Sequence, residues 1–259
     1  MSSARSCGLL KIQYLCGMEK NNGNPNAQVS LIVGELQALS REDKRESLPR
    51  FFKTAKGQYG EGDRFLGVVV PDIRAVAKRH KQVSWTALDD LLASPWHEVR
   101  MCALLIMVEQ WKRAGEAWRQ QAFDFYLAHA ECANNWDLVD LSAPTIVGKF
   151  LLDKPSQRGI LDRLAAEPSL WKNRIAMVAT QGLIRGGELD DTYRLAGALL
   201  NHPHDLMHKA VGWMLREAGK RDEPRLVAWL REHKRQMPRT ALRYSIERLN
   251  PALRHELMA

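Results

Sequence analysis

From Val29 onward, apolar residues recur every three or four positions, the period of amphipathic helices rather than of alternating strands. VSLIVGELQAL is the first such segment. Ser40 to Lys44 reads as a turn into the next helix, and another helix starts near Pro71 and runs through IRAVAKRH. From about residue 83 the pattern predicts antiparallel helix pairs. SWTALDDLLAS pairs with EVRMCALLIMVEQWKRAG, and AWRQQAFDFYLAHA with WDLVDLSAPTIVGKFLL. SQRGILDRLAAE pairs with SLWKNRIAMVATQGLIRGG, LDDTYRLAGALL with DLMHKAVGWMLREAGK, and EPRLVAWLREHK with RTALRYSIERL. Gly186, Gly187 and Gly219 stand where helices should stop. The one Gly-rich stretch, AKGQYGEGDRFLGVVVP, reads as a loop. Leu66–Val70 within it is the only strand candidate, too short and isolated to build a sheet.

Pro168, Pro203 and Pro238 recur at a spacing of 35 residues and each leads into the second helix of a pair; Pro95 lies 73 residues before Pro168, about two periods. Helix pairs at this period predict an all-α fold, a HEAT-like α-solenoid with a concave basic face able to hold an extended ligand. The expected organisation is a single HEAT-like domain over residues 29–259. A disordered or loosely attached lead of residues 1–28, ending in NNGNPNAQ, precedes it. Met18 is a candidate for the biological start. A cation follows each proline by five or six positions: Arg100, Arg174, Lys209 and Arg243. The missing repeat should begin near residue 131. There the chain reads ECANNWDLVDL, without proline or cation, and places Asp137 and Asp140 in that register. A scaffold that inverts its charge at one register is expected to have built a site there.

The 259 residues suffice for a substantial core, and 45% hydrophobic with 26% charged residues is an ordinary globular composition. No apolar run approaches membrane-spanning length, and the first 17 residues make a poor secretory signal. The cysteines, Cys7, Cys16, Cys102 and Cys132, lack CxxC or metal spacing, as expected of reduced thiols in the cytoplasm. The net charge of +8 favours a polyanionic partner, the more so because the cations recur at fixed repeat positions.

Four residues sit oddly for a purely structural helix. Trp213 falls about 100° from the centre of the stripe Met207, Val211, Met214 and Ala218, between Lys209 and Arg216. It either binds a ligand or packs on a neighbouring repeat while the cations snorkel. Arg174 lies at the edge of the stripe Trp171, Ile175 and Val178. A cation withdrawn from water needs a partner, and two kinds satisfy it: a carboxylate of the chain or a ligand phosphate. Trp136 and Asp140, four apart, share a helix face, with Val139 and Ala143 flanking the acid. Asp137 is one step round, exposed or capping, and Pro144 should bend or restart the helix. His202, His204 and His208 fit no clean metal spacing. Nucleophile-elbow and phosphate-loop motifs are absent from the sequence, and neither metal nor cofactor is expected.

On NNWDLVDLSAPTIVG, SLWKNRIA and KAVGWMLREAGK, and more weakly on RFLGVVVPDIRAVAK and HEVRMCAL, the chain resembles the AlkD family of bacterial DNA alkylation-repair glycosylases. The resemblance runs in order over roughly residues 50 to 250. It implies HEAT-like repeats cradling duplex DNA, with Asp140 as the catalytic aspartate and Trp136 and Trp213 lining the cleft. It implies Arg174 on the DNA backbone at the lesion. The reaction implied is hydrolysis of the N-glycosidic bond of a cationic N3- or N7-alkylated purine, with enzyme grip on backbone and sugar. The implied partner is duplex DNA bearing such purines. The protein would act as a monomer in a bacterial cytoplasm, on the nucleoid. Arg100, Lys209, Arg216 and Arg243 are the further cations expected to hold undamaged duplex. The competing readings are a non-catalytic DNA-binding solenoid and a protein-interaction scaffold, the first of which has no need of Asp140.

Overall fold

The computed structural model describes residues 24–259, which among themselves form helices and no strand. They fall into two compact units, the first ending at Gln110 and the second spanning Trp111–Ala259.

The first unit contains α1 (Pro25–Ala38), α2 (Glu42–Phe51), α3 (Val70–Arg79), α4 (Trp85–Leu92) and most of α5 (His97–Trp111). Ile32, Leu36, Val76, Leu91 and Ile106 are fully buried in its core. Helix α1 starts before the expected Val29. The Asn24 side chain accepts from the Asn26 N–H and Pro25 opens the first turn, a cap-then-proline start with φ already set for the helix. Pro25–Gln28 are therefore helical rather than part of a lead, while residues 1–23, Met18 included, lie outside the described residues.

Leu66–Val70 forms no strand because its amides go elsewhere. The buried Glu98 carboxylate accepts from the N–H groups of Leu66 (2.9 Å), Gly67 (2.8 Å) and Val68 (3.2 Å). Beside it, Asp63 accepts from Arg100 Nη2 at 2.6 Å and meets His97 Nδ1 at 2.8 Å, while Arg100 Nη1 donates to the Ser94 carbonyl at 2.9 Å. The His97 ring stacks on Phe65 and packs on Phe52. These ties pin the long loop to the first turn of α5. They also correct one expectation. Arg100, expected on a DNA-facing surface, is 5% exposed and spent inside this network. A buried guanidinium needs such partners to offset its desolvation.

The second unit runs through α6 (Glu116–Ala128), a 3-10 turn (Ala130–Cys132), α7 (Trp136–Ala143), a π turn (Pro144–Gly148) and α8 (Lys149–Asp153). A second 3-10 turn (Pro155–Gln157) leads to α9 (Gly159–Ala166), α10 (Leu170–Arg185), α11 (Asp190–Ala198) and α12 (Asp205–Gly219). It ends with α13 (Glu223–His233), α14 (Arg239–Ile246) and α15 (Pro251–Met258), the last not anticipated from the pattern. Helix pairs repeat in the expected order, α9 with α10 and α11 with α12, with α13 and α14 both packed on α12, and the fold is an all-α, HEAT-like solenoid. The 35-residue prolines stand just ahead of α10, α12 and α14.

Helix α10 lies between the α7–π segment and α12, with α9 and α11 against it, and is buried along almost its whole length. Backbone meets backbone where it crosses the π turn. A Cβ on Gly182 would stand 2.5 Å from the Pro144 carbonyl oxygen, and one on Gly148 2.1 Å from that of Ala179. Gly212 plays the same part between α12 and α14, against the Ala241 carbonyl at 2.4 Å. Gly182→Ala is expected to wedge this crossing and cost about 1–3 kcal/mol of stability. Gly197→Ala on α11, whose Cβ meets nothing within 4 Å, should instead gain about 0.5–1 kcal/mol. Denaturant unfolding of the two variants checks both signs.

Candidate functional site

Helix α7 is started by Asn135, fully buried, whose Oδ1 accepts the Trp136 N–H at 2.9 Å. Asp137 turns back on its own first turn, accepting the Leu138 N–H at 2.9 Å. The far end is set by Pro144. Lacking an N–H, it cannot donate to the carbonyl four residues back, which is that of Asp140. The backbone widens into the π turn at that point. Beneath the helix, Ser142 Oγ donates to the Leu138 carbonyl at 2.6 Å and meets the buried Tyr126 hydroxyl at 2.9 Å. Burial pushes the Tyr126 phenol well above its ordinary pKa, which keeps it neutral.

Asp140 and Arg174 meet in a two-pronged ion pair. Arg174 Nε donates to Oδ1 at 2.9 Å and Nη2 to Oδ2 at 2.8 Å. The third nitrogen, Nη1, donates to the Leu206 carbonyl at 2.6 Å. One guanidinium thus ties α7, α10 and the first turn of α12. Both carboxylate oxygens accept, the pattern of the ionised form, and about two of its four lone-pair sites remain for other donors. The pair is unevenly buried: the Arg174 side chain is 5% exposed and that of Asp140 19%. The acid is the outer member, so the dipole of the pair presents its negative end toward solvent. Burial pushes the Asp140 carboxyl above its ordinary value, the Arg174 charge and hydrogen bonds pull it back, and nearby Asp137 adds to the rise.

The two residues meet because they hold equivalent places in neighbouring repeats. Asp140 is the fifth residue of α7, Arg174 of α10, Lys209 of α12 and Arg243 of α14. The expectation that Arg174 grips a DNA phosphate is thereby corrected in part. All three of its nitrogens are engaged within the chain, and the intramolecular partner weighed from the sequence is the one present. Lys209 forms an ion pair with Asp205 at 2.7 Å and stays 40% exposed. Arg216 is paired with Glu247 and lies near Glu217. Arg243 is exposed on α14. Trp136 and Trp213 are both half-buried, Trp136 at the start of α7 and Trp213 seven residues beyond Leu206 on α12.

Sequence reasoning missed the latch beside the pair. Asn173, next to Arg174, donates through Nδ2 to the carbonyls of Leu164, Ala165 and Glu167 at 2.9–3.0 Å, closing the end of α9. Its Oδ1 lies 3.2 Å from His202 Nε2. His202 Nδ1 accepts the His204 N–H and His204 Nδ1 accepts the Leu206 N–H, each at 3.1 Å, capping α12. These ring lone pairs are spent on backbone amides, and among the described residues no cluster of metal-ligating side chains occurs. No helix among them is long and apolar enough to cross a membrane. No local signal in the sequence points to this latch, since Asn173 and His202 stand 29 residues apart, short of the 35-residue repeat.

Two outcomes are expected here. Arg174→Ala leaves Asp140 and the Leu206 carbonyl without their donor and should cost about 3 kcal/mol, the lower end for a broken buried pair. Arg174→Lys, without the planar fork, should recover only part of it in chemical denaturation. Burial holds His202 and His204 below the ordinary histidine value of 6.5, helped at His202 by the charges of His204 and His208 and at His204 by those of His208 and Arg174 against the opposing pull of Asp205. The folded state then takes up a proton less readily than the unfolded chain. The stability contributed by the neutral rings is full above about 6.5 and lost as pH falls. The melting temperature should drop between pH 7.5 and 5.5, and His202→Gln should flatten that slope.

Compared with known proteins, residues 32–249 match the family model described as "DNA alkylation repair enzyme". No curated protein sequence matches the chain. Among solved structures, a predicted DNA alkylation repair enzyme from Enterococcus faecalis is similar at a TM-score of 0.66 and 15% identity, over 82% of this chain and 97% of that one. At that identity the likeness is one of fold. The family match covers most of the residues, from α1 to the end of the α14 repeat and across the Asp140–Arg174 pair, and the chain belongs to the DNA alkylation repair enzyme family.

Proposed function

We propose that this protein is a DNA glycosylase that hydrolyses the N-glycosidic bond of cationic N3- or N7-alkylated purines in duplex DNA. The observation that carries the reading is the Asp140 carboxylate, fixed from behind by a more deeply buried Arg174 and left partly open at its own outer face. A family role in alkylation repair requires a step that acts on a damaged base, and this carboxylate suits one.

Alkylation at N3 or N7 puts positive charge on the base, so the base departs neutral and needs little help from an acid. Charge develops instead on the deoxyribose, which approaches an oxocarbenium ion. A carboxylate already oriented needs no reorganisation as that charge appears, and a low-dielectric setting strengthens its effect. Arg174 is then a positioning residue. It holds both oxygens and lowers the proton affinity of the acid, at the cost of partly cancelling its field. Water attacks the sugar carbon; Asp140 orients it through its remaining lone pairs, and the solvent takes up the released proton. Trp136 and Trp213 would supply aromatic faces to the cationic lesion and sugar, each contact worth about 0.5–2 kcal/mol. Lys209, Arg216 and Arg243 would hold backbone phosphate without reading sequence. The enzyme would act as a monomer on duplex DNA.

The same ion pair favours a second reading. A carboxylate neutralised by arginine repels phosphates less than a bare one, so it is compatible with a non-catalytic DNA-binding solenoid in which the pair only braces three helices. Base release from a 7-methylguanine duplex by wild type and Asp140→Asn separates the two. The glycosylase reading predicts release by wild type and a loss of about 10²–10³-fold or more in the variant, with circular dichroism confirming that it folds. Equal rates would remove Asp140 from the chemistry, and no release by either protein would favour the scaffold.

A further inference from the structure

The second unit holds a cavity of about 420 Å³ near the C-terminal end of α12, its lining including Arg216, Lys220, Arg221, Glu223, Ser245 and Arg248. Four cations face one lining acid. The acids just outside are Glu217, which holds Lys220 at 2.6 Å and lies 3.8 Å from Arg216 Nε, and Glu247, which is paired with Arg216. Arg221 and Arg248 are exposed and have no carboxylate partner among the described residues. Arg216 Nε is buried without a hydrogen-bond acceptor. An open cavity whose lining carries this excess of positive charge, with two of its arginines exposed and unpaired, suits an anion.

We propose that this cavity is a phosphate-binding site and that its occupant is a backbone phosphate of the duplex, away from the lesion. The inference rests on the reading of the protein as a DNA-repair enzyme. It adds Lys220, Arg221 and Arg248 to the binding surface. Phosphate oxygens accept from the forked N–H groups of arginine, and the negative charge is balanced by Arg221 and Arg248, the two cations that lack partners. Along α12 the cavity lies about 15 Å from the Leu206 carbonyl, taking ten residues at about 1.5 Å each. A phosphate held there would fix the register of the duplex while Asp140 addresses the sugar. Ser245 Oγ donates to the Leu242 carbonyl at 2.8 Å and keeps its lone pairs, so it does not add a donor to the site.

The test uses the full chain and two probes, inorganic phosphate and an undamaged duplex. The variant is Arg221→Gln with Arg248→Gln. The control is Arg225→Gln, an exposed arginine paired with Asp190 outside the cavity. At fixed ionic strength, phosphate should shift the backbone amides of residues 219–223 and 245–249 in wild type, but not in the double variant. Duplex affinity of the variant should fall about 3–10-fold per lost contact, and the slope of log K against log salt should drop by about 1 for each. The control should change neither. Absence of phosphate shifts together with a control-like salt slope overturns the inference. Phosphate shifts with an unchanged slope assign the cavity to free phosphate and overturn the duplex as its source. If wild type releases no alkylated base yet shows both effects, the cavity stands and the glycosylase reading falls.

Discussion

The site depends on one guanidinium making three hydrogen bonds. Arg174 holds both oxygens of Asp140 on α7, caps the Leu206 carbonyl on α12, and does so from the second turn of α10, where it is almost fully buried. A buried arginine with fewer partners would be intolerable, and a buried aspartate without it would be pushed toward its neutral form. Each charge is therefore the condition for the other. The glycine crossing at Gly148 and Gly182 brings the π turn against α10, and the Asn173–His202 latch fixes the turn that presents Leu206. Both can be understood as the frame that keeps this clasp in register. What remains open after all three bonds are made is the outer face of the carboxylate.

The solenoid explains why such a clasp is easy to build. Side chains one repeat apart in sequence lie side by side in space, so a change of charge at one register finds its partner in the next. Asp140 with Arg174 is one instance. Arg158 with Asp191, Arg225 with Asp190, Arg216 with Glu247 and Arg194 with Asp162 are others, all separated by about one period. Most of these are exposed and contribute little to stability. The Asp140–Arg174 pair shares its low exposure with Arg158–Asp191 and differs from it in its two-pronged hydrogen bonding.

Most of the fold was legible in the sequence, because helix-pair periodicity and the 35-residue prolines are local signals. Pro144 was also readable as an interruption, since a missing N–H acts on its own helix. What was not legible was the destination of each charge. Arg100 and Arg174 stand at the same register as exposed cations such as Arg243, and a period reports register, not exposure. Arg100 is internal because the loop before α3 delivers Asp63 to it, a contact across 37 residues that no helical pattern encodes. Leu66–Val70 read as an orphan strand because the acceptor of its amides, Glu98, lies about 30 residues on. The α12 cap was hidden for a similar reason: histidines read as surface or metal groups until their lone pairs are seen on backbone amides.

The central claim is that the exposed face of a braced carboxylate senses positive charge on the sugar. The most direct measurement is the affinity of the protein for two duplexes that differ at one position, a cationic azasugar at an abasic site and a neutral tetrahydrofuran. Wild type should prefer the cation by at least about 10²-fold, as expected for a mimic of the charged transition state, and Asp140→Asn should lose that preference. Equal affinity of wild type for both duplexes, at low salt and neutral pH, would contradict the account.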